Sequence, residues 1–248
     1  SRHLFAPVAF PGASLMVALL ALLSAALLFG FYRDTETSVA AGEAQAGLPP
    51  RPLRAVARQP VFIAALANNV VGSVSMMFIM TAAPLAAVAC SHSIGDGANI
   101  MQWHLVGMYA PAFFAGALIQ RFGLAKVLGA GMLLNVACAL IAMASPSLPA
   151  FYAALFCLGV GWNFMFVGGT TLLAQSYRPS ERARAQGAAE MLRYAATAVA
   201  ALAAGPALEA FGWEALIAAM LPVVRAAGRL PWPWARGPAR AATAAGPA

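Results

Sequence analysis

Two ionisable side chains sit in otherwise apolar sequence at a spacing that brings them together. Glu190 and Arg193 are three residues apart and so share one face of a helix. A carboxylate in that setting can exchange a proton. The guanidinium beside it can hold an anionic group or lower the carboxyl pKa. The plainer reading keeps both at a membrane interface, with Arg193 snorkelling towards water. Asn163 stands among Trp162, Phe164 and Phe166. A polar amide amid aromatics suits a substrate wall and equally an interhelical hydrogen bond. Asn68 and Asn69 are adjacent, so on a helix they point about 100° apart and at most one looks squarely into a cavity. His104, with Gln102 and Trp103, reads either as a proton relay or as an interfacial residue near an aromatic belt.

The remaining reactive types do not assemble into a catalytic set. Cys90-x-His92 and eleven methionines raise a copper site. The methionines form no spaced clusters, however, and soft-metal sites need converging ligands, so no metal is expected. No P-loop, zinc spacing or nucleophile–base set occurs, and Ser73, Ser75, Thr170 and Thr171 have no histidine or carboxylate nearby in sequence. No cofactor is expected. A membrane-embedded enzyme would need a cluster of ionisable groups that so few charges do not supply.

The elements that must position these residues are apolar. Of 248 residues 62% are hydrophobic and 9% charged, and mean hydropathy is +0.77. Soluble domains carry about 25% charged residues, so this chain cannot coat a water-facing surface and the lipid bilayer is its natural solvent. The net charge of +7 comes from residues set in short interruptions between apolar runs. It forms no continuous basic patch, which excludes nucleic acid as a partner. The three cysteines give no disulfide framework.

A helix needs about 20 mainly apolar residues to cross the hydrocarbon core while satisfying its own backbone hydrogen bonds. Residues 13–32, 61–85, 100–119, 127–145, 150–174 and 187–207 qualify. Residues 214–224 form a shorter seventh run, followed at 225–248 by a Pro-, Arg- and Ala-rich tail that reads as disordered. Residues 33–60 are polar and much longer than the other connections, and so read as a linker; a basic amphipathic piece at 51–58 is placed on the membrane surface. Pro84, Pro111 and Pro206 are candidate kinks. Gly129, Gly131, Gly159, Gly161, Gly168 and Gly169 are candidate close-packing positions.

Loop charges alternate. Arg33, Arg51, Arg54 and Arg58, then Arg121 and Lys126, then Arg178, Arg182 and Arg184 fall in the first, third and fifth loops. The loops at 86–99, 146–149 and 208–213 contain no lysine or arginine. Cytoplasmic loops carry that excess, so the first set and the tail face the cytoplasm.

The stretch "GALIQRFGLAKVLGAG" then carries more than topology. Gly116-x-x-x-Gln120-Arg121-x-Gly123-x-x-Lys126 resembles the loop signature of the major facilitator superfamily, in which glycine, an acidic residue, arginine, glycine and a basic residue follow at this spacing. Gly116 is expected to permit close helix approach and Gly123 to make a tight turn. Gln120 replaces the acidic residue, so no charge-based latch is expected here. "RPLRAVARQPVF", "MTAAPL", "QWHLVGMYAPAFFAG", "GVGWNFMFVGGTTLL" and "ERARAQG" are similar to one bacterial branch of that family. The resemblance implies an all-α polytopic membrane helix bundle, the second half of a major-facilitator-type fold. Residues 13–32 would be its isolated sixth helix, 33–60 the cytoplasmic linker between halves, and 61–224 the C-terminal six-helix bundle with a shortened last helix. An N-terminal half would be a missing partner.

The expected function is secondary active transport of an unidentified small molecule across a bacterial cytoplasmic (inner) membrane by alternating access. Glu190 would couple it to protons. The alternatives are an inactive transporter fragment and, further off, a membrane-embedded enzyme.

Overall fold

The computed structural model describes residues 49–229, with side chains through residue 222, and in addition Leu22. Apart from Leu22, the span expected at 13–32 and the linker up to residue 48 lie outside the described residues. Among those described, every regular element is helical: α1 (Leu53–Ala57), α2 (Pro60–Ala89), α3 (Ile94–Tyr109), α4 (Ala112–Phe122), α5 (Leu124–Ala144), α6 (Leu148–Ala174), a 3-10 turn at Pro179–Glu181, and α7 (Arg182–Arg229). Helices α2, α5, α6 and the run Pro179–Pro222 are long and apolar enough to cross a bilayer; α3 and α4, bent by 43° at their junction, are so when taken together as a pair. The chain is an all-α membrane helix bundle.

Two boundaries differ from the sequence reading for clear local reasons. The third predicted span starts at Ile94, not 100, because Ser93 and Asp96 form a reciprocal capping box: Asp96 N–H donates to Ser93 Oγ and Ser93 N–H to Asp96 Oδ2, each at 3.0 Å. That span then breaks at Pro111, which has no N–H to give the carbonyl one turn back. Pro84 and Pro206 lie inside helices that continue through them. The break in α7 falls instead at Gly212, where φ is 76° and ψ 169°, a conformation that a side chain would strain. The arm after Gly212 is helical to Arg229, so residues 225–229 belong to a helix and not to a disordered tail; the rest of that tail is outside the described residues.

Lipid offers apolar side chains as good a solvent as the protein interior, so helices associate here through close packing and hydrogen bonds. The outer surface is accordingly apolar: Phe113, Ile94, Leu202 and Leu133 are largely exposed. The inner stripe of α7 is nearly all alanine: Ala185, Ala189, Ala200 and Ala204, interrupted by Arg193 and Thr197. Helix α6 runs through the centre against α2, α3 and α5, and glycines bring their backbones together. A Cβ on Gly131 would stand 2.8 Å from the Gly161 carbonyl oxygen, and one on Gly107 2.8 Å from that of Phe156.

Buried apolar residues gather in two clusters at opposite ends of the bundle. One holds Ile79, Ile100, Phe151, Leu155 and Leu158, and takes Leu216 and Ile217 from the arm beyond Gly212. The other holds Val56, Phe62, Leu172, Leu173, Ala185 and Ala189, with Leu124 against it. The loops sort by end as their charges predict. At the second end Arg51 and Gln59 donate to the carbonyl of Ser176, joining the first loop to the fifth. At the first end the His92 ring meets the Pro146 carbonyl at 2.9 Å, and Cys90, Pro146 and Trp213 line one cavity of about 300 Å³.

Candidate functional site

Between the two apolar clusters lies a polar waist. Asn68, Asn69, Ser73 and Ser75 from α2, His104 from α3, Asn135 from α5, Asn163 from α6, and Arg193 and Thr197 from α7 are all buried there. Removing such groups from water without partners is costly, and most of their partners are backbone carbonyls on neighbouring helices. Asn68 Nδ2 donates to Met165 O, Asn163 Nδ2 to Met108 O, and the His104 Nδ1 position contacts Leu155 O, each at 2.8 Å. Asn135 donates within its own helix to Gly131 O and across to Met165 Sδ. These bonds fix α6 against α2, α3 and α5.

Among the described residues, the amide oxygens of Asn68, Asn69, Asn135 and Asn163, Ser75 Oγ and His104 Nε2 find no hydrogen-bond partner. The waist therefore holds spare hydrogen-bonding capacity.

The charged part of the waist is on α7. Glu190 Oε2 accepts from Arg193 Nε at 3.0 Å and also from Nη2. The guanidinium carbon lies 5.4 Å from the centre of the Phe166 ring and 4.1 Å from that of Tyr194, within cation–π range. Its Nη1 reaches Ser73 Oγ at 3.5 Å, and Trp162 Nε1 reaches the same hydroxyl at 3.4 Å. Trp162 and Phe166 are one turn apart on α6, stacked at 5.1 Å between centroids with 11° between planes. Residues from three helices thus meet around one guanidinium.

The predicted residues divide accordingly. Glu190 and Arg193 do share a face. Arg193 is only 8% exposed and turns into the bundle instead of snorkelling outward, because its neighbours supply both charge and aromatic faces. Asn163 makes the interhelical bond that its setting allowed. Asn68 and Asn69 are both buried against α6, where Asn68 donates to Met165 O and Asn69 Oδ1 lies against Gly169. His104 is fully buried between α3 and α6, which replaces the interfacial reading. Its position inside Ile94–Tyr109, after an earlier helix start, is the reason.

The loop motif spans the α4–α5 junction. Gly123 has φ 88° and makes the expected turn, with Arg121 over the Phe122 ring and Gln120 and Lys126 flanking it. A Cβ on Gly116 would meet no described atom within 4 Å, so the expected close helix approach is not found there.

Sequence reasoning missed Ser73, Asn135, Tyr194 and Thr197. Asn135 carried the signal used for Asn163, a lone amide in an apolar run. Ser73 was judged by sequence neighbours, whereas its partners come from residues 162 and 193.

At the end that carries the basic loops, Glu181 is 2% exposed and accepts from Arg51 N–H, Nε and Nη2 and from Arg178 N–H at 2.7–2.9 Å. Donation from the Arg51 side chain, before that of the backbone amides, holds its carboxyl down at about 2.

Comparison with known proteins follows this geometry. The family model described as Major Facilitator Superfamily matches residues 70–248. The riboflavin transporter RfnT of Brucella anthropi is 40% identical over 174 residues, covering 70% of this chain and 44% of that protein. Two uncharacterized MFS-type transporters of Bacillus subtilis also match: YddS is 34% identical over 47% of this chain and 27% of its own length, and YdeG 32% identical over 50% and 29%. The chain thus spans less than half the length of these relatives. No solved structure matches.

Proposed function

Since the chain belongs to the major facilitator superfamily, we propose that it is the C-terminal part of a secondary transporter that moves a small molecule across a bacterial cytoplasmic membrane by alternating access. On this reading residues 13–32 are the helix preceding the linker at 33–60, and a second bundle packs opposite α2, α6 and α7. The transporter acts without a cofactor and performs no covalent chemistry. A flavin is the first substrate to test, because riboflavin names the cargo of a relative at 40% identity.

The observation that carries this reading is the Glu190–Arg193 pair in the polar waist. Glu190 keeps 37% of its side chain exposed while Arg193 is almost wholly buried. A partly exposed carboxylate paired to a buried cation can take a proton and thereby release its partner. Proton coupling is assigned to Glu190 on that basis.

Uptake of riboflavin into proteoliposomes under an imposed pH gradient tests both parts, using protein produced from its full coding sequence. Wild-type protein accumulates the substrate. Glu190→Gln loses gradient-driven accumulation and retains exchange across equal pH. Unchanged driven uptake in that variant overturns the coupling role.

A further inference from the structure

We propose that Trp162, Phe166 and Arg193 form a recognition platform for an uncharged planar heteroaromatic ring, and that Glu190 makes the platform reject rings carrying an anionic group. This deepens the transport reading and rests on it for the direction in which the platform opens.

The apolar half of the platform is the Trp162–Phe166 stack. Near-parallel rings with centroids 5.1 Å apart form one stack, and both side chains remain partly exposed. A third flat ring can add to such a stack in offset geometry.

The polar half has donors in excess of acceptors. Trp162 Nε1 and Arg193 Nη1 both aim at the single Ser73 hydroxyl, at 3.4 and 3.5 Å. Ordinary N–H···O bonds are about 2.7–3.2 Å long, so both are stretched. A ring carbonyl placed beside that hydroxyl can compete with it for the same two donors.

The charge settles which ring is accepted. Arg193 gives Nε and Nη2 to Glu190, so the pair is neutral together and only Nη1 is left over. A carboxylate or phosphate on the incoming ring would meet Glu190 as well as Arg193, in surroundings where like charges are poorly screened. A ring carbonyl meets no such penalty. The matching chemistry is a flat, neutral, conjugated ring system with carbonyl acceptors on one edge, the description of a flavin's tricyclic ring.

Binding to purified protein in nanodiscs, followed by quenching of ring fluorescence, tests this without requiring transport. The probes are lumichrome (the neutral ring without its sugar chain), ribitol (the chain without the ring) and 2-naphthoate (a planar anion). Lumichrome should bind with quenching, ribitol should not compete, and 2-naphthoate should bind at least about tenfold more weakly. Trp162→Leu should weaken lumichrome about tenfold, while Trp162→Phe retains most of the affinity.

Glu190→Gln should raise 2-naphthoate affinity about tenfold by freeing Arg193. That gain is one a damaged fold does not produce. Equal lumichrome affinity in wild type and Trp162→Leu, or no gain for 2-naphthoate in Glu190→Gln, overturns the proposal. If this binding pattern holds and no solute is taken up by proteoliposomes, the transport reading alone fails. If uptake of another solute occurs without lumichrome binding, the platform alone fails.

Discussion

Glu181 and Arg51 are 130 residues apart in sequence and joined by three hydrogen bonds, one from the arginine backbone and two from its side chain. The pair ties the segment entering α1 to the turn that starts α7, and so fixes that end of the bundle. Arg51 remains a third exposed, which limits the energy involved. Glu181→Gln is expected to lower unfolding stability by about 1 kcal/mol.

The same pair sets a pH dependence. The Glu181 carboxyl is held at about 2 against an ordinary value of 4.5. A depressed carboxyl stabilises the fold fully above its unfolded value, and that contribution is lost as pH falls from about 4.5 towards 2. Thermal unfolding in nanodiscs between pH 7 and pH 3 should show this slope in wild type and a flatter one in Glu181→Gln. Identical slopes would remove Glu181 from the account.

Close approach at glycine is expected to matter at Gly131 and Gly159 and not at Gly187. A Cβ on Gly131 meets the Gly161 carbonyl at 2.8 Å and one on Gly159 meets the Met108 nitrogen at 2.9 Å, both backbone atoms that cannot swing away. One on Gly187 meets nothing described within 4 Å. Alanine at either of the first two should cost about 1–3 kcal/mol, whereas Gly187→Ala should be neutral or stabilising through helix propensity. Unfolding midpoints that rank Gly187→Ala with the others would contradict the packing described.

Asn163 joins α6 to α3 through its amide N–H and the Met108 carbonyl. Asn163→Ala should cost about 1 kcal/mol, a usual value for one interhelical hydrogen bond in a membrane bundle. Asn163→Asp should cost more, since it sets an oxygen against a carbonyl oxygen. An aspartate variant as stable as wild type would show that the bond contributes nothing.

The membrane threading predicts opposite accessibility at two exposed positions, Gly95 beside the Ser93 cap and Ser180 in the turn before α7. With Cys90, Cys138 and Cys157 replaced by alanine, Gly95→Cys should react with an impermeant thiol reagent added outside whole cells. Ser180→Cys should react only after permeabilisation. Labelling of both from one side would refute the orientation.

Much of this architecture was legible in the chain. Apolar run length sets where helices cross lipid, because unpaired backbone groups are not tolerated there. The alternation of basic loops sorted the ends, and Gly123 marked its turn by a conformation open to glycine. The Glu190–Arg193 contact was also legible, being a matter of spacing within one helix. What the tertiary structure decided was everything that depends on which faces of different helices meet. It turned Arg193 inward onto Phe166, drew Ser73 to Trp162, buried His104 against Leu155, and placed the α7 break at Gly212 and not at Pro206. Hydropathy is nearly uniform around α2, α5 and α6, so the sequence gives no strong face preference there. The choice of partners falls to small-residue packing and individual hydrogen bonds, which exist only once the helices are assembled.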